Sequence, residues 1–263
     1  FFFSSRRRHT RYISVTGVQT CALPILNIWP RPIQRPHPPI WIPGGGSVET
    51  WQWCAEMDYV YCYLSYYGHK AGKATMDGFW NEMDRLGKDR NPYRAAFAQT
   101  IAVAESRDQA LEMYTEAAEY FFGRCLHFDS RFAAPPGYST EATQRAGLSS
   151  QVSAAALRTV ARPTGMKELV DAGYIVIGSP SQVVEQIVDL AENLNVGNLM
   201  LLMQFGNMNK ELTRYNTKIF AEKVMPTLRK FMAEWEHRWW PQPMDGNLRA
   251  ELPAWTPGKL AAE

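Results

Sequence analysis

The sequence predicts an α/β fold, in which short apolar strands alternate with amphipathic helices around a buried parallel sheet. Three observations carry this. His37 to Leu64, HPPIWIPGGGSVETWQWCAEMDYVYCYL, sets an apolar run, a glycine turn, a helix start and a second β-rich run within about thirty residues, the length of a βαβ unit. The order of strand followed by helix returns at 93–121 and again toward the C-terminal end. Finally, no apolar run approaches the roughly eighteen residues that a membrane span needs.

The first unit pivots on Gly44, Gly45, Gly46 and Ser47. Glycines let the backbone bend and let a ligand come close, and Ser47 is placed to cap the helix that opens at Val48. Free N–H groups at a helix start, at the positive end of its dipole, attract phosphate. Gly45, Gly46, Ser47 and Thr50 are therefore candidate phosphate-binding residues. A turn that only joins strand to helix uses the same residues, and Glu49, a carboxylate that already answers the dipole, leans that way. The dinucleotide pattern G-x-G-x-x-G and the nucleophile elbow G-x-S-x-G both need glycine where Glu49 stands, and no Lys-Ser or Lys-Thr follows to make a nucleoside-triphosphate loop.

Pro30 to Ile42, PRPIQRPHPPIWI, followed by Gly-Gly-Gly-Ser, resembles the bacterial-luciferase-like flavin-dependent monooxygenases. A second stretch adds to the resemblance, in which Ile177-Gly178-Ser179-Pro180 is followed by Phe205-Gly206-Asn207-Met208 and by Phe220 to Arg229, FAEKVMPTLR. Together they bracket most of 26–231. The resemblance implies a TIM barrel whose second half begins near this strand. It also implies a turn that helps hold the flavin phosphate, with Gly46 and Ser47 on the contacting positions and Thr50 one helical step beyond. A generic barrel holds phosphate after its last two strands, so this placement comes from the family and not from the fold.

Residues 1–25 differ from the rest. They carry Arg6, Arg7, Arg8 and Arg11, no acidic residue and no period that continues into Leu26. An Arg-rich, acid-poor start invites a transit-peptide reading. Val15 to Ile25, VTGVQTCALPI, instead resembles translated sequencing-adapter read-through, so this segment is set aside as an artefactual leader. Without those four arginines the formal charge moves from +2 to −2, and no basic excess points to nucleic acid or a membrane surface. Cys54, Cys62 and Cys125 lack paired spacing and the histidines are scattered, which suits a reducing cytoplasm and predicts neither disulfides nor a metal site.

The remaining elements follow in order. Tyr59 to Leu64 is β-rich and almost wholly apolar, and a helix is expected from about Gly72 to Leu86, closed by Gly87, with Phe79, Met83 and Leu86 on one face. Tyr93 to Ala104 reads as a strand. Ser106 and Gln109 form the S-x-x-Q pattern of a capping box before a helix whose apolar face is Leu111, Tyr114, Ala118 and Phe121. Ser179, Pro180 and Gln182 make a second helix start, continued by Val183, Val184, Ile187, Val188, Ala191 and Leu194. Leu199 to Met203 is a strand, and a last helix runs from Ile219 to Arg229.

Between 126 and 165 the alternation stops, with a short helix expected at Val152 to Val160. The resemblance implies a lid over the active site here; a mobile decoration is the plainer alternative. The tail, 232–263, is rich in Trp and Pro and suits either docking or a flexible end. Counting strands at 39–43, 59–64, 94–104 and 199–203 gives about four βα units, with the insertion before the last strand. A TIM barrel has eight, so 26–231 is expected to be the C-terminal half of a (β/α)8 barrel, with open edges on its first and last strands.

The resemblance implies an oxidoreductase that oxidises a small organic substrate with O2. Its reduced FMN would come from a flavin reductase, and the intact parent would be a homo-oligomer. The nearest alternatives are a deazaflavin-dependent oxidoreductase of the same superfamily and a non-catalytic flavin-binding barrel protein. A phosphosugar-type barrel enzyme explains the glycine turn but not the PIWIPGGGS and VMPTLR stretches. Tyr66, Gln99 and Gln204, near strand C-terminal ends, are candidate substrate-pocket residues. No catalytic acid, base or nucleophile is assigned, because in the family much of that chemistry sits on the first four strands. As written, the chain is expected to be inactive alone.

Overall fold

The computed structural model describes residues 38–64, 68–125, 140–143, 145 and 165–238. The chain divides into two compact units, Phe1–Pro38 and Pro39–Glu263, and the fold below is that of the second. The leader at 1–25, the short helix expected at Val152 to Val160 and the tail beyond 238 lie outside the described residues.

Strands and helices alternate from β1 (Trp41–Gly44) through α1 (Val48–Met57), β2 (Val60–Tyr63), α2 (Gly68–Arg85), β3 (Ala95–Val103) and α3 (Arg107–Tyr120). There follow α4 (Met166–Asp171), β4 (Ile175–Gly178), α5 (Pro180–Leu194), β5 (Asn198–Leu202), α6 (Lys210–Ile219) and α7 (Met225–Leu228). Local chemistry sets the boundaries. Ser179 and Gln182 form a reciprocal capping box, each side chain taking the other's backbone N–H, at 3.5 and 3.0 Å. At α3 the box is only half formed. Ser106 takes the Gln109 N–H at 3.2 Å, but the Gln109 side-chain oxygen reaches the N–H of Glu105 instead of that of Ser106. Helix α2 starts at Gly68, four residues before the expected position, and the last helix begins at Lys210 and continues through a π-helical turn, Phe220–Val224.

All strand pairs are parallel. β3 organises the sheet. Ala96 and Phe97 pair with β2 on one side and with β5 on the other, while Thr100 pairs with both Ile175 of β4 and Leu202 of β5. β2 and β4 therefore share one edge of β3, end to end, and β5 takes the other. The path β1-β2-β3-β5 follows chain order, as four successive βα units require. β4 is an additional strand beside the C-terminal half of β3. The count of four leaves it out because its four residues, IVIG, run directly into the Ser179 cap and read as a lead-in to α5.

Helices α1, α2 and α5 cover one face of the sheet around β2 and the start of β3, while α3 and α4 cover the opposite face at the β3–β4 end. On the first of these faces Tyr61, Tyr63, Ala95 and Phe97 pack against Trp51 of α1, Met76, Phe79 and Met83 of α2, and Leu190 and Leu194 of α5. Trp80 ties two of these helices together by donating its indole N–H to the Leu194 carbonyl at 2.9 Å. Alternation puts Val60, Cys62 and Ala96 on the opposite face, where they form a small cluster of their own. On that face the outer strands expose apolar side chains, with Trp41 of β1 at 38% and Met200 and Leu202 of β5 at 42% and 38%. Among the described residues β1 pairs only with β2, and β5 only with β3.

Two polar clamps hold the ends of β3. At its start Arg94, almost fully buried, donates to Asp58 at 2.9 Å and Asp89 at 2.6 Å, and Lys88 joins Asp58 at 3.2 Å. Burial works to raise the Asp58 carboxyl, but its bonds to Arg94 and Lys88 prevail and hold it below the usual range. At the other end the β3–β5 ladder stops at Thr100 and Leu202, and Asn216 of α6 takes over. Its side-chain oxygen accepts the Val103 N–H at 2.9 Å, and its amide donates to the carbonyls of Ile101 at 2.8 Å and Met203 at 2.9 Å. Asn216 is completely buried, with its oxygen and both amide hydrogens engaged.

Asn216→Leu keeps the volume but strips partners from three backbone groups. A buried group left unsatisfied costs about 1–3 kcal/mol, so the variant is expected to lose roughly 3 kcal/mol in chemical denaturation. A change under about 0.5 kcal/mol, the range of an ordinary surface substitution, would contradict the clamp.

Candidate functional site

The turn after β1 lies at the C-terminal end of the parallel sheet, where α/β folds place their ligands. Its shape depends on glycine at two points. Gly46 sits at φ +109, outside the range that L side chains readily adopt. Gly44 lies against the ring of Tyr61, and a Cβ there would stand 2.6 Å from Tyr61 Cε2. Beside them Gly45 is exposed and opens onto free space, since a Cβ would meet nothing within 4 Å. The backbone at this point can be approached closely from outside.

Ser47 has the extended backbone of an N-cap, φ −72 and ψ 123, but its hydroxyl caps nothing. This corrects the expectation that it accepts a first-turn N–H. The hydroxyl is turned toward the Glu49 carboxylate instead, donating to Oε2 at 3.1 Å in a charge-assisted bond. The main chain still turns in the normal way, with the N–H groups of Thr50 and Trp51 directed to the Ser47 carbonyl at 3.1 and 3.4 Å.

Glu49 is the residue around which the turn's polar groups gather. Besides Ser47 it accepts from Thr140 Oγ1 at 2.5 Å and Thr143 Oγ1 at 2.9 Å, both from the 126–165 insertion. Thr143 Oγ1 also accepts the Val48 N–H at 3.3 Å and lies 3.5 Å from Ser47 Oγ. The hydrogen bond from Thr140 leads the effects that hold the Glu49 carboxyl below its ordinary value, so at neutral pH it is ionised. Beneath the turn, Tyr61 is wholly buried and Trp51 nearly so, and the polar neighbours of the Tyr61 hydroxyl are the Trp51 side chain and the Gly46 backbone. Burial drives the Tyr61 phenol well above its usual value, so it stays protonated.

The turn thus brings together Gly45, Gly46, Ser47 and Thr50, the last half-buried on the first turn of α1. Gln99 is placed differently. It sits in the middle of β3, buried, and its amide donates to the carbonyls of Tyr174 at 3.0 Å and Gly173 at 3.4 Å, which ties β3 to the segment entering β4. Gln204 is exposed just beyond β5, and Tyr66 lies outside the described residues. A shallow cleft of about 330 Å³ between α3 and α4 involves Arg107, Leu111, Lys167 and Asp171, none of which is a residue the sequence singled out for a site. Among the described residues no group of three or more His, Cys, Asp or Glu is arranged for a metal ion, and no helix is long and apolar enough to cross a membrane.

Sequence reasoning missed Thr140 and Thr143. They lie more than ninety residues from the turn, in a stretch with no periodic pattern, and no local signal joins them to Glu49. Glu49 itself was visible, as an acidic residue in a first helical turn.

Comparison with known proteins gives one family. The model of the luciferase-like monooxygenases matches residues 11–196. No curated protein matches the chain significantly. Among solved structures, it is similar to the monooxygenase RslO1 from Streptomyces bottropensis, at 19% identity and a TM-score of 0.49, over 76% of this chain and 51% of that one. Similar too is the oxygenating constituent of 3,6-diketocamphane monooxygenase from Pseudomonas putida, in complex with FMN, at 17% identity and a TM-score of 0.49, over 72% and 49%. A third is the coenzyme F420 dependent tetrahydromethanopterin reductase from Methanopyrus kandleri, at 13% identity and a TM-score of 0.44, over 72% and 50%. The chain spans about half the length of these structures.

Because Ser47 caps nothing, Ser47→Ala is expected to change stability by less than the roughly 0.5–2 kcal/mol that loss of a true N-cap costs. A thermal or denaturant melt showing a loss within that range would restore the capping role.

Proposed function

Because the chain belongs to the luciferase-like monooxygenase family, we propose that it is a flavin-binding oxidoreductase chain whose Gly45–Gly46–Ser47 turn seats the flavin phosphate. The observation that carries this is the turn itself: glycine backbone open to solvent at the start of a ten-residue helix, at the C-terminal end of the sheet, with hydroxyls converging on an anion. Backbone N–H groups and the positive end of α1 favour a phosphate there, and Ser47 and Thr143 supply neutral donors. The residues fit a phosphate in donor type and in openness. The one group of the wrong sign is Glu49.

When bound, reduced FMN supplies the electrons with which O2 is activated. This chain's contribution is to bind and orient. The turn fixes the phosphate end, and a ligand held at one end by charge-assisted bonds presents its ring in a restricted set of positions. A deazaflavin would be held by the same turn, and oxygen uptake with reduced FMN separates the two. A small organic substrate and a flavin reductase complete the proposed reaction.

FMN and riboflavin differ by the phosphate, so their relative binding reads the turn. Gly46→Asp brings a carboxylate to the phosphate and a side chain to a backbone at positive φ. It is expected to weaken FMN by about 1.5–3 kcal/mol, the worth of a bond to a charged group, and to leave riboflavin nearly unchanged. Equal losses for both ligands would show that the turn is only a connection.

A further inference from the structure

The turn proposed to seat phosphate is already occupied, and by an anion of the chain itself. Three hydroxyls, those of Ser47, Thr140 and Thr143, donate to the two oxygens of Glu49, and the carboxylate lies in the first turn of α1 where the helix dipole favours negative charge. Two of these hydroxyls, those of Ser47 and Thr143, are donors that the proposed phosphate would also use. Two anions do not share one set of neutral donors, because they repel each other in a site with no cation to balance them. Among the described residues no lysine or arginine bonds to Glu49, whose partners are hydroxyls and its own backbone.

The same carboxylate is also a tie. Thr140 and Thr143 belong to the insertion, and their bonds to Glu49, with that from the Val48 N–H to Thr143, are what fasten 140–143 to the start of α1. Thr140 and Thr143 are further joined to each other, as the Thr143 N–H donates to Thr140 Oγ1 at 3.1 Å.

We propose that Glu49 is an internal occupant of the phosphate seat, exchanged for the phosphate of the ligand, which takes over the Ser47 and Thr143 hydroxyls that the carboxylate now holds. This rests on the reading of the turn as a phosphate seat. Glu49 suits the exchange because it is exposed: its side chain can swing into solvent at no cost in core packing. The arrangement makes Glu49 a determinant of affinity for phosphorylated over unphosphorylated ligands.

Glu49→Gln keeps the shape and an acceptor for the threonines but removes the charge. In the full chain, calorimetric titration of the variant is expected to show inorganic phosphate and FMN binding about tenfold more tightly than to the native protein, with riboflavin unchanged, since relief of a like charge acts only on the charged ligands. Unchanged or weaker phosphate and FMN binding in the variant would overturn the exchange. If neither protein prefers FMN to riboflavin and neither binds phosphate, the seat itself is refuted, an outcome distinct from a seat that binds phosphate without involving Glu49.

Discussion

The pairing of β3 on both sides is the constraint on which the rest of the structure depends. Nine residues long and buried along almost its whole length, it gives its first half to β2 and β5 and its second half to β4 and β5. A buried strand in that position must have every backbone group satisfied. Where neighbouring strands run out, side chains take their place. Asn216 supplies the pairing that β5 no longer offers, and the Tyr114 hydroxyl donates to the Val103 carbonyl at 3.0 Å, closing the same end. Where β3 begins, Arg94 is held by two aspartates instead of being left as a buried charge.

That frame fixes the turn. β1 is aligned by β2, Trp41 opposite Val60 and Gly44 opposite Tyr63, so the register that buries Tyr61 under the helices also sets its ring against Gly44. The chain then has no room for a side chain at 44 and a left-handed bend at 46, and it emerges with α1 pointing its N-terminal end outward. The outward-facing helix start follows from packing requirements on the other side of the strand. The same geometry explains why the chain's own carboxylate settles there.

Much of this was legible in the sequence, for physical reasons. Apolar runs bounded by glycine, proline and capping residues marked β1, β2, β3 and β5 to within about two residues, and Ser179-Pro180-Ser181-Gln182 specified its helix start completely. β4 escaped because its residues IVIG run directly into the Ser179 cap and it pairs along the free edge of β3. Ser47 misled because its hydroxyl is turned toward a carboxylate two residues on that has partners from a distant segment. Gln99, expected near the C-terminal end of its strand, lies in the middle of β3 with its amide on the carbonyls of 173 and 174.

We propose that the backbone of Gly45, Gly46 and Ser47 binds phosphate. Amide proton and nitrogen shifts of these three residues, followed as inorganic phosphate is added to the full chain, test it most directly. The account predicts shifts that are largest at these residues and the start of α1 and that saturate with added phosphate. Shifts that stay flat there, or that grow linearly without saturating, would contradict it.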